Sequence, residues 1–207
     1  MHLVFIFFIS LNKCMNILIC GDSFAADCSK VTNQIGWPTL LSEHFSVTNI
    51  AQAGCSEYRI LKQVQKSDFN KYDAIILAHT SPYRLYVENH PCYVDSALHK
   101  NSDFIYADVK DKKLEPIVEY FEKYYSIEYA LDIHRLLLLE IDSLLQNKKT
   151  IHMTGIDYTG INFFKEIYDI SNIVKNYPGN CNHLNETGNQ IVFCSLYKKL
   201  NTLLANS

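Results

Sequence analysis

Short apolar runs alternate with amphipathic stretches along this chain. Asn16–Cys20 is a compact apolar run closed by Gly21, the pattern of a strand buried on both faces. Val47–Ile50, Ala74–Ala78 and Lys149–Met153 read as a second, third and fourth strand. Between them, Trp37–Phe45 predicts a short helix with Pro38 in its first turn. Ser56–Gln65 predicts another, with Ser56 as its N-cap. Leu114–Gln146 is strongly helical, and Asn172–Asn180 carries a fifth element followed by a turn. Gln190–Leu204 predicts a final amphipathic helix with Ile191, Cys194, Tyr197, Leu200 and Leu204 on its apolar stripe. Strands alternating with helices imply βαβ units, hence an α/β fold with a mostly parallel sheet covered on both faces. In such a sheet, ligands bind at the carboxyl ends of the strands. Residues 15–207 show no repeat and no linker and read as a single domain.

Composition narrows the classes. The chain has 207 residues, 48% hydrophobic and 20% charged, enough for a substantial core. A net charge of -3 gives no broad basic field, so a nucleic-acid partner is not expected. The seven cysteines form no C-x-x-C pair, and several lie in apolar runs; they read as free thiols in a reducing, cytoplasmic setting. Residues 1–14 contain a short apolar run, too short to span a membrane. They lack the basic n-region and small-residue cleavage site of a signal peptide. They read as an upstream start before Met15 or as a membrane-contacting segment, with secretion the third choice, so no stable membrane span is expected. The oligomeric state is open.

The first strand ends in Gly21-Asp22-Ser23. That places Ser23 where a parallel sheet puts its chemistry, near an expected helix N-terminus that favours developing negative charge. A serine nucleophile needs a base from elsewhere in the chain. His183 is the candidate, set between the Pro178-Gly179 turn and the last helix. Gly54, after the second strand, offers a bare backbone N–H. Together Ser23, His183 and Gly54 supply the nucleophile, base and oxyanion donor of an acyl-transfer site.

These residues resemble the blocks of the SGNH (GDSL-type) hydrolases. Gly21-Asp22-Ser23 matches the turn with the nucleophilic serine, and Gly54 matches the oxyanion glycine. Asn180 to His183 occupies the place of the D-x-x-H motif. The blocks come in the family's order, and the α/β pattern covers nearly all of 15–207. The resemblance implies a three-layer, flavodoxin-like sandwich and an esterase acting on O-acyl groups, with Ser23 and Gly54 N–H groups in the oxyanion hole. It implies that Asp22 supports the turn, and Asp22 and Arg84 are also carried as substrate-binding candidates. Two departures stand out. Thr80 and Ser81 occupy the place of the usual oxyanion asparagine, with Thr80 the preferred donor. Asn180 replaces the aspartate that orients the histidine. An Asp-to-Asn change in another serine hydrolase costs roughly 10⁴ in rate, although cysteine proteases orient a histidine through Asn.

The segment Ser81–Lys112 has no clear period. With His79 just before it, it brings His90, His99, Arg84 and Asp103 close together. It reads as a substrate-recognition loop, with Arg84 pairing a carboxylate or phosphate, as a packed loop, or as a subunit contact. It resembles segments of SGNH-like proteins associated with cell-surface polysaccharides and phages, which implies an O-acetylated sugar ester as substrate. The histidine spacings fit no standard metal site, and Cys181-Asn182-His183 lacks the second ligand pair zinc requires. No metal and no cofactor is expected. The alternatives are a sugar O-acyltransferase using the same residues and a non-catalytic member that binds glycan or a partner protein.

Overall fold

The computed structural model describes residues 15–29, 31–155, 164 and 167–205. The expectations for residues 1–14 lie outside them. Five strands form one parallel sheet: β1 (Asn16–Gly21), β2 (Ser46–Asn49), β3 (Ala74–His79), β4 (Thr150–Thr154) and β5 (Ile167–Asp169). Their order is β2-β1-β3-β4-β5, the flavodoxin-like order. β1 pairs with β2 on one side and β3 on the other, in the register Leu18 to Thr48 and Leu18 to Ile75. β3 is buried from end to end and β1 from Ile17 onward, which is why they read as near-continuous apolar runs.

Alternate residues of β1 face opposite layers. Ile17 and Ile19 pack against Trp37 and Leu41 of α1 (Trp37–Ser42) and Val192, Leu196 and Leu200 of α7 (Glu186–Ala205). Leu18 and Cys20 pack against Ile60 and Val64 of α2 (Glu57–Gln65) and Ile141 and Leu145 of α5 (Ile127–Leu145). The result is a three-layer α/β/α sandwich. The short helices α3 (Tyr106–Asp111) and α4 (Glu115–Lys123) precede α5, and α6 (Ser171–Asn176) precedes β6 (Pro178–Cys181).

Several local expectations change. The helical stretch 114–146 breaks at Tyr124-Tyr125-Ser126, where Ser126 accepts the Tyr129 N–H at 3.2 Å and caps a new helix. The buried stripe of α7 is Val192, Leu196 and Leu200, while Cys194 and Tyr197 are exposed. That helix carries apolar residues on two neighbouring stripes, and only its packing against α1 selects one. The stretch 172–180 becomes α6 and the start of β6, and the fifth strand of the sheet is β5. Ser56 sits at the N-cap of α2, but its side chain makes no cap bond. Ser23 is followed by a single turn rather than a helix, because Ala25 and Ala26 both donate to Asp22 O and the next helix waits until Trp37. No described helix is long and apolar enough to cross a membrane.

Candidate active site

β1 delivers Gly21, Asp22 and Ser23 to the carboxyl edge of the sheet. The turn is fastened from below. Gln63 accepts the Gly21 N–H at 2.7 Å and donates to Gly21 O at 3.1 Å. A side chain at Gly21 would collide with Ala78 O at 2.6 Å, so β1 and β3 close tightly only around a glycine. The Asp22 N–H donates to Ala78 O, and its carboxylate accepts the Phe24 N–H at 2.9 Å. Phe24 O in turn accepts the Trp37 indole N–H at 2.7 Å.

His183 comes from the loop after β6. Asn182 and His183 both take left-handed backbone angles, φ 54° and 62°. Asn tolerates that region better than most residues. The Asn182 amide donates to Ser23 O at 3.1 Å and Ala26 O at 2.9 Å, tying the histidine loop to the serine loop. The outcome is direct: His183 Nε2 lies 2.8 Å from Ser23 Oγ, with the imidazole packed on Phe24 at 4.6 Å between ring centroids. Desolvation lowers the His183 pKa from 6.5, and the positive charges of Arg84 and His99 push the same way. His183 is therefore neutral, and able to accept a proton, at neutral pH.

The loop after β2 brings Gly54 to φ +75°, and a Cβ there would lie 2.1 Å from Ser102 Oγ. Its carbonyl accepts from Asp103 N–H at 2.9 Å and Arg84 Nη1 at 3.0 Å. The peptide that carries the Gly54 N–H is held separately, by Ser102 Oγ donating to Ala53 O at 3.2 Å. Among the described residues, neither the Ser23 nor the Gly54 backbone N–H has an acceptor, which leaves both available to an oxyanion.

The other predicted residues take different places. Asp22 is 1% exposed, so it supports the turn and does not reach substrate. Burial raises its pKa to about 6, against the opposing pull of Arg84 and of its bonds to Phe24 and Thr80. Thr80 accepts from Arg84 Nε at 3.1 Å and bonds to Asp22, so its hydroxyl proton is not presented to an oxyanion. Arg84 uses Nε on Thr80 Oγ1 and Nη1 on Gly54 O and so ties the Gly54 loop to the end of β3; these two donors are not free for a substrate anion. Asn180 lines the serine cleft but makes no hydrogen bond to His183, and among the described residues nothing accepts from His183 Nδ1. The tight loop explains this. Gly179 N–H donates to His183 O, and Cys181 bridges Leu184, so four residues after Asn180 fold back on its own strand.

Within Ser81–Lys112, Ser102 and Asp103 form a packed clamp on the Gly54 loop and the start of α2. The Asp103 carboxylate accepts Ser56 N–H at 2.7 Å and Arg59 Nε at 2.9 Å, and Ser102 Oγ donates to Ala53 O at 3.2 Å. His90 is buried. Only His99, with Leu98, reaches the serine cleft. Its Nδ1 lies 3.3 Å from Ser102 Oγ. Because that hydroxyl gives its proton to Ala53 O, Nδ1 of neutral His99 carries the hydrogen and Nε2 is left as an acceptor.

The free-thiol expectation is also corrected: Cys28 and Cys181 form a disulfide, with Cα atoms 5.6 Å apart. They are separated by 153 residues, and only the meeting of the serine and histidine loops brings them together. Cys20, Cys55, Cys92 and Cys194 are free. Sequence inspection missed Asn182 and Gln63, and also a buried Glu57–His79–His152 chain at the ends of β3 and β4. His79 lies 2.8 Å from Glu57 Oε1 and 2.9 Å from His152 Nδ1. Burial opposes the Glu57 charge, but His79, His134 and the Thr80 N–H outweigh it and lower its pKa. The signal for Asn182 was present as an Asn immediately before the histidine, in a stretch without regular structure. Among the described residues, no group of His, Cys, Asp and Glu is arranged to hold a metal.

No protein-family model matches the chain, and no curated protein matches it. Among solved structures, it is similar to a protein from Desulfitobacterium hafniense described as of the lipolytic G-D-S-L family, at 10% identity and TM-score 0.49, over 86% of this chain and 95% of that one. It is also similar to an acetyl xylan esterase from Butyrivibrio proteoclasticus, at 11% identity and TM-score 0.47, over 92% of this chain and 64% of that one. A family two carbohydrate esterase from Clostridium thermocellum gives 11% identity and TM-score 0.43, over 90% and 65%. The chain thus spans slightly less than two thirds of the two carbohydrate esterases.

Proposed function

We propose that this chain is an SGNH-type serine ester hydrolase. The observation that carries the proposal is the 2.8 Å contact between Ser23 Oγ and a neutral His183 Nε2, beside two unclaimed backbone N–H groups. In this mechanism His183 takes the Ser23 proton as Ser23 Oγ attacks an ester carbonyl. The N–H groups of Ser23 and Gly54 stabilise the oxyanion. His183 then gives the proton to the leaving alcohol, and water or a second alcohol resolves the acyl-enzyme. With a sugar hydroxyl as acceptor, the same residues perform transfer.

The cleft beside Ser23 is small, about 120 Å³, and is lined by Asn180, Asn182, His99 and His183 among others. Such a space suits a short acyl group, and its polar wall suits an alcohol rich in hydroxyls. An O-acetylated carbohydrate fits both. The test is release of acetate from p-nitrophenyl acetate and from acetylated xylo-oligosaccharides. Ser23→Ala and His183→Ala should each cost about 10³-fold or more in kcat/KM. Hydrolysis that survives both changes overturns the proposal. A second reading, a glycan-binding protein without catalysis, draws on the absence of a hydrogen-bond acceptor at His183 Nδ1 among the described residues. It predicts no acetate release and intact sugar binding.

A further inference from the structure

On the α2 and α5 side of the sheet's carboxyl edge lies a cavity of about 580 Å³, within the range of small-molecule sites. It does not contain Ser23. Arg84 is on its wall, and the same side chain binds Gly54 O, so the cavity adjoins the Gly54 loop while sharing no lining residue with the serine cleft.

Three observations describe its occupant. First, tyrosine rings wall it and stand open to solvent. Tyr124 is 72% exposed, Tyr129 67% and Tyr86 45%. Tyr86 is held in place: Tyr58 packs edge-on at 4.8 Å, and the Arg59 guanidinium lies 5.0 Å from its centroid, itself fixed by Asp103. Rings pre-set in this way present flat apolar faces at little ordering cost. Second, two hydroxyls at this wall, Ser56 Oγ and Tyr125 OH, are buried without a hydrogen-bond partner. Ser56 is 4% exposed. Its backbone N–H is taken by Asp103, and it leaves its cap position unused. Burial pushes Tyr125 up to about 12, so it remains a phenol able to donate. An orphaned buried hydroxyl is costly, and a ligand that bonds it removes the cost. Third, Glu57 lines the cavity with its carboxylate 2.8 Å from His79 Nδ1, while Arg84 stands on the wall.

We propose that this cavity is a binding site for a neutral oligosaccharide of gluco- or xylo-configured rings. Their equatorial hydroxyls leave both ring faces as bare C–H surface, which stacks on tyrosine, while the hydroxyl rim supplies partners for Ser56 and Tyr125. An anionic ligand would meet the Glu57 carboxylate and gain little from Arg84, whose Nε and Nη1 are bonded to Thr80 and Gly54 O. A quaternary ammonium would suit the rings but would leave both hydroxyls unpartnered and would face Arg84. A hydrocarbon chain would leave them unpartnered too. Ser56 reaches the ligand by rotation about its Cα–Cβ bond.

This site does not depend on ester chemistry, and its test is made so that the two separate. The full chain carrying Ser23→Ala is titrated with cellohexaose, xylohexaose and, separately, choline, and binding is read by saturation-transfer NMR and calorimetry. We expect binding of at least one hexasaccharide, with saturation arriving from tyrosine ring protons. Affinity should fall about tenfold in Tyr129→Ala and severalfold in Ser56→Ala, and Tyr129→Phe should retain it. Ser56→Ala should not lower the melting temperature, since the hydroxyl it removes has no partner in the protein. Three results each overturn the proposal: neither sugar binds, binding is indifferent to Tyr129→Ala and Ser56→Ala, or choline binds in their place. Because Ser23 is already removed, none of them bears on whether Ser23 reacts.

Discussion

Asp22, read from the sequence both as support for the turn and as a substrate-binding candidate, does structural work. Its carboxyl is buried under the serine turn, with a pKa raised from the usual 3.8 to about 6. Between those values the folded state holds more protons than the unfolded one. Stability therefore falls as pH rises from about 4 to about 6, by at most ~3 kcal/mol, and then levels. Asp22→Asn, which keeps the acceptor for Phe24, should flatten that part of a melting-temperature profile. Parallel profiles for the two proteins would contradict the assignment. His183 moves the other way. Its pKa is lowered from 6.5, so the acidic limb of the kcat/KM profile should lie below pH 6.5. Removing one of the depressing charges by His99→Ala should move that limb upward. At Gly54, a Cβ would meet both a φ of +75° and the Ser102 hydroxyl at 2.1 Å. Gly54→Ala should cost about 1–3 kcal/mol of stability and lose most of the ester activity, readable by thermal melting beside turnover.

At the scale of elements, the site is two loops joined at three levels: the Ser23–His183 contact, the Asn182 amide on Ser23 O and Ala26 O, and the Cys28–Cys181 disulfide. Closing a loop of about 150 residues constrains the unfolded chain by roughly 5 kcal/mol in the chain-entropy account. Cys181→Ser should therefore lower the melting temperature and slow turnover together, and alkylation of the unreduced wild type should leave these two thiols unmodified. Modification of both would show that the bond is absent. None of this link was legible in the sequence, because two cysteines far apart carry no local pattern. β1 and β3 were legible because they are buried on both faces and so appear as nearly unbroken apolar runs; β4, Thr150–Thr154, is as buried but carries His152 among its apolar residues. The break before α5 was not legible, since Tyr124, Tyr125 and Ser126 sit inside a run of good helix formers and only the Ser126 cap marks it. The stripe of α7 was misplaced because α1 chooses between two apolar faces.

Across the whole molecule, the parallel sheet brings β1, β2 and β3 to one edge with Ser23, Gly54 and His79 at their ends, and α7 closes the far side behind His183. That convergence is why Ser23, Gly54 and His183 could be picked from positions at element ends. The support around them could not. Gln63 under Gly21, and Arg84, Ser102 and Asp103 around the Gly54 loop, act through contacts spanning tens of residues, and nothing local in the chain marks them. The segment after β3 was read as a substrate-recognition loop, a packed loop or a subunit contact; within it Arg84, Ser102 and Asp103 hold the Gly54 loop, and Asp103 pairs with Arg59 of α2. The measurement that tests the central claim most directly is labelling of the intact protein with a fluorophosphonate, followed by peptide mass spectrometry. An activated serine predicts a single adduct on Ser23, abolished in Ser23→Ala and strongly reduced in His183→Ala. Absence of an adduct on folded wild-type protein, or an adduct whose rate is indifferent to His183→Ala, would contradict the account.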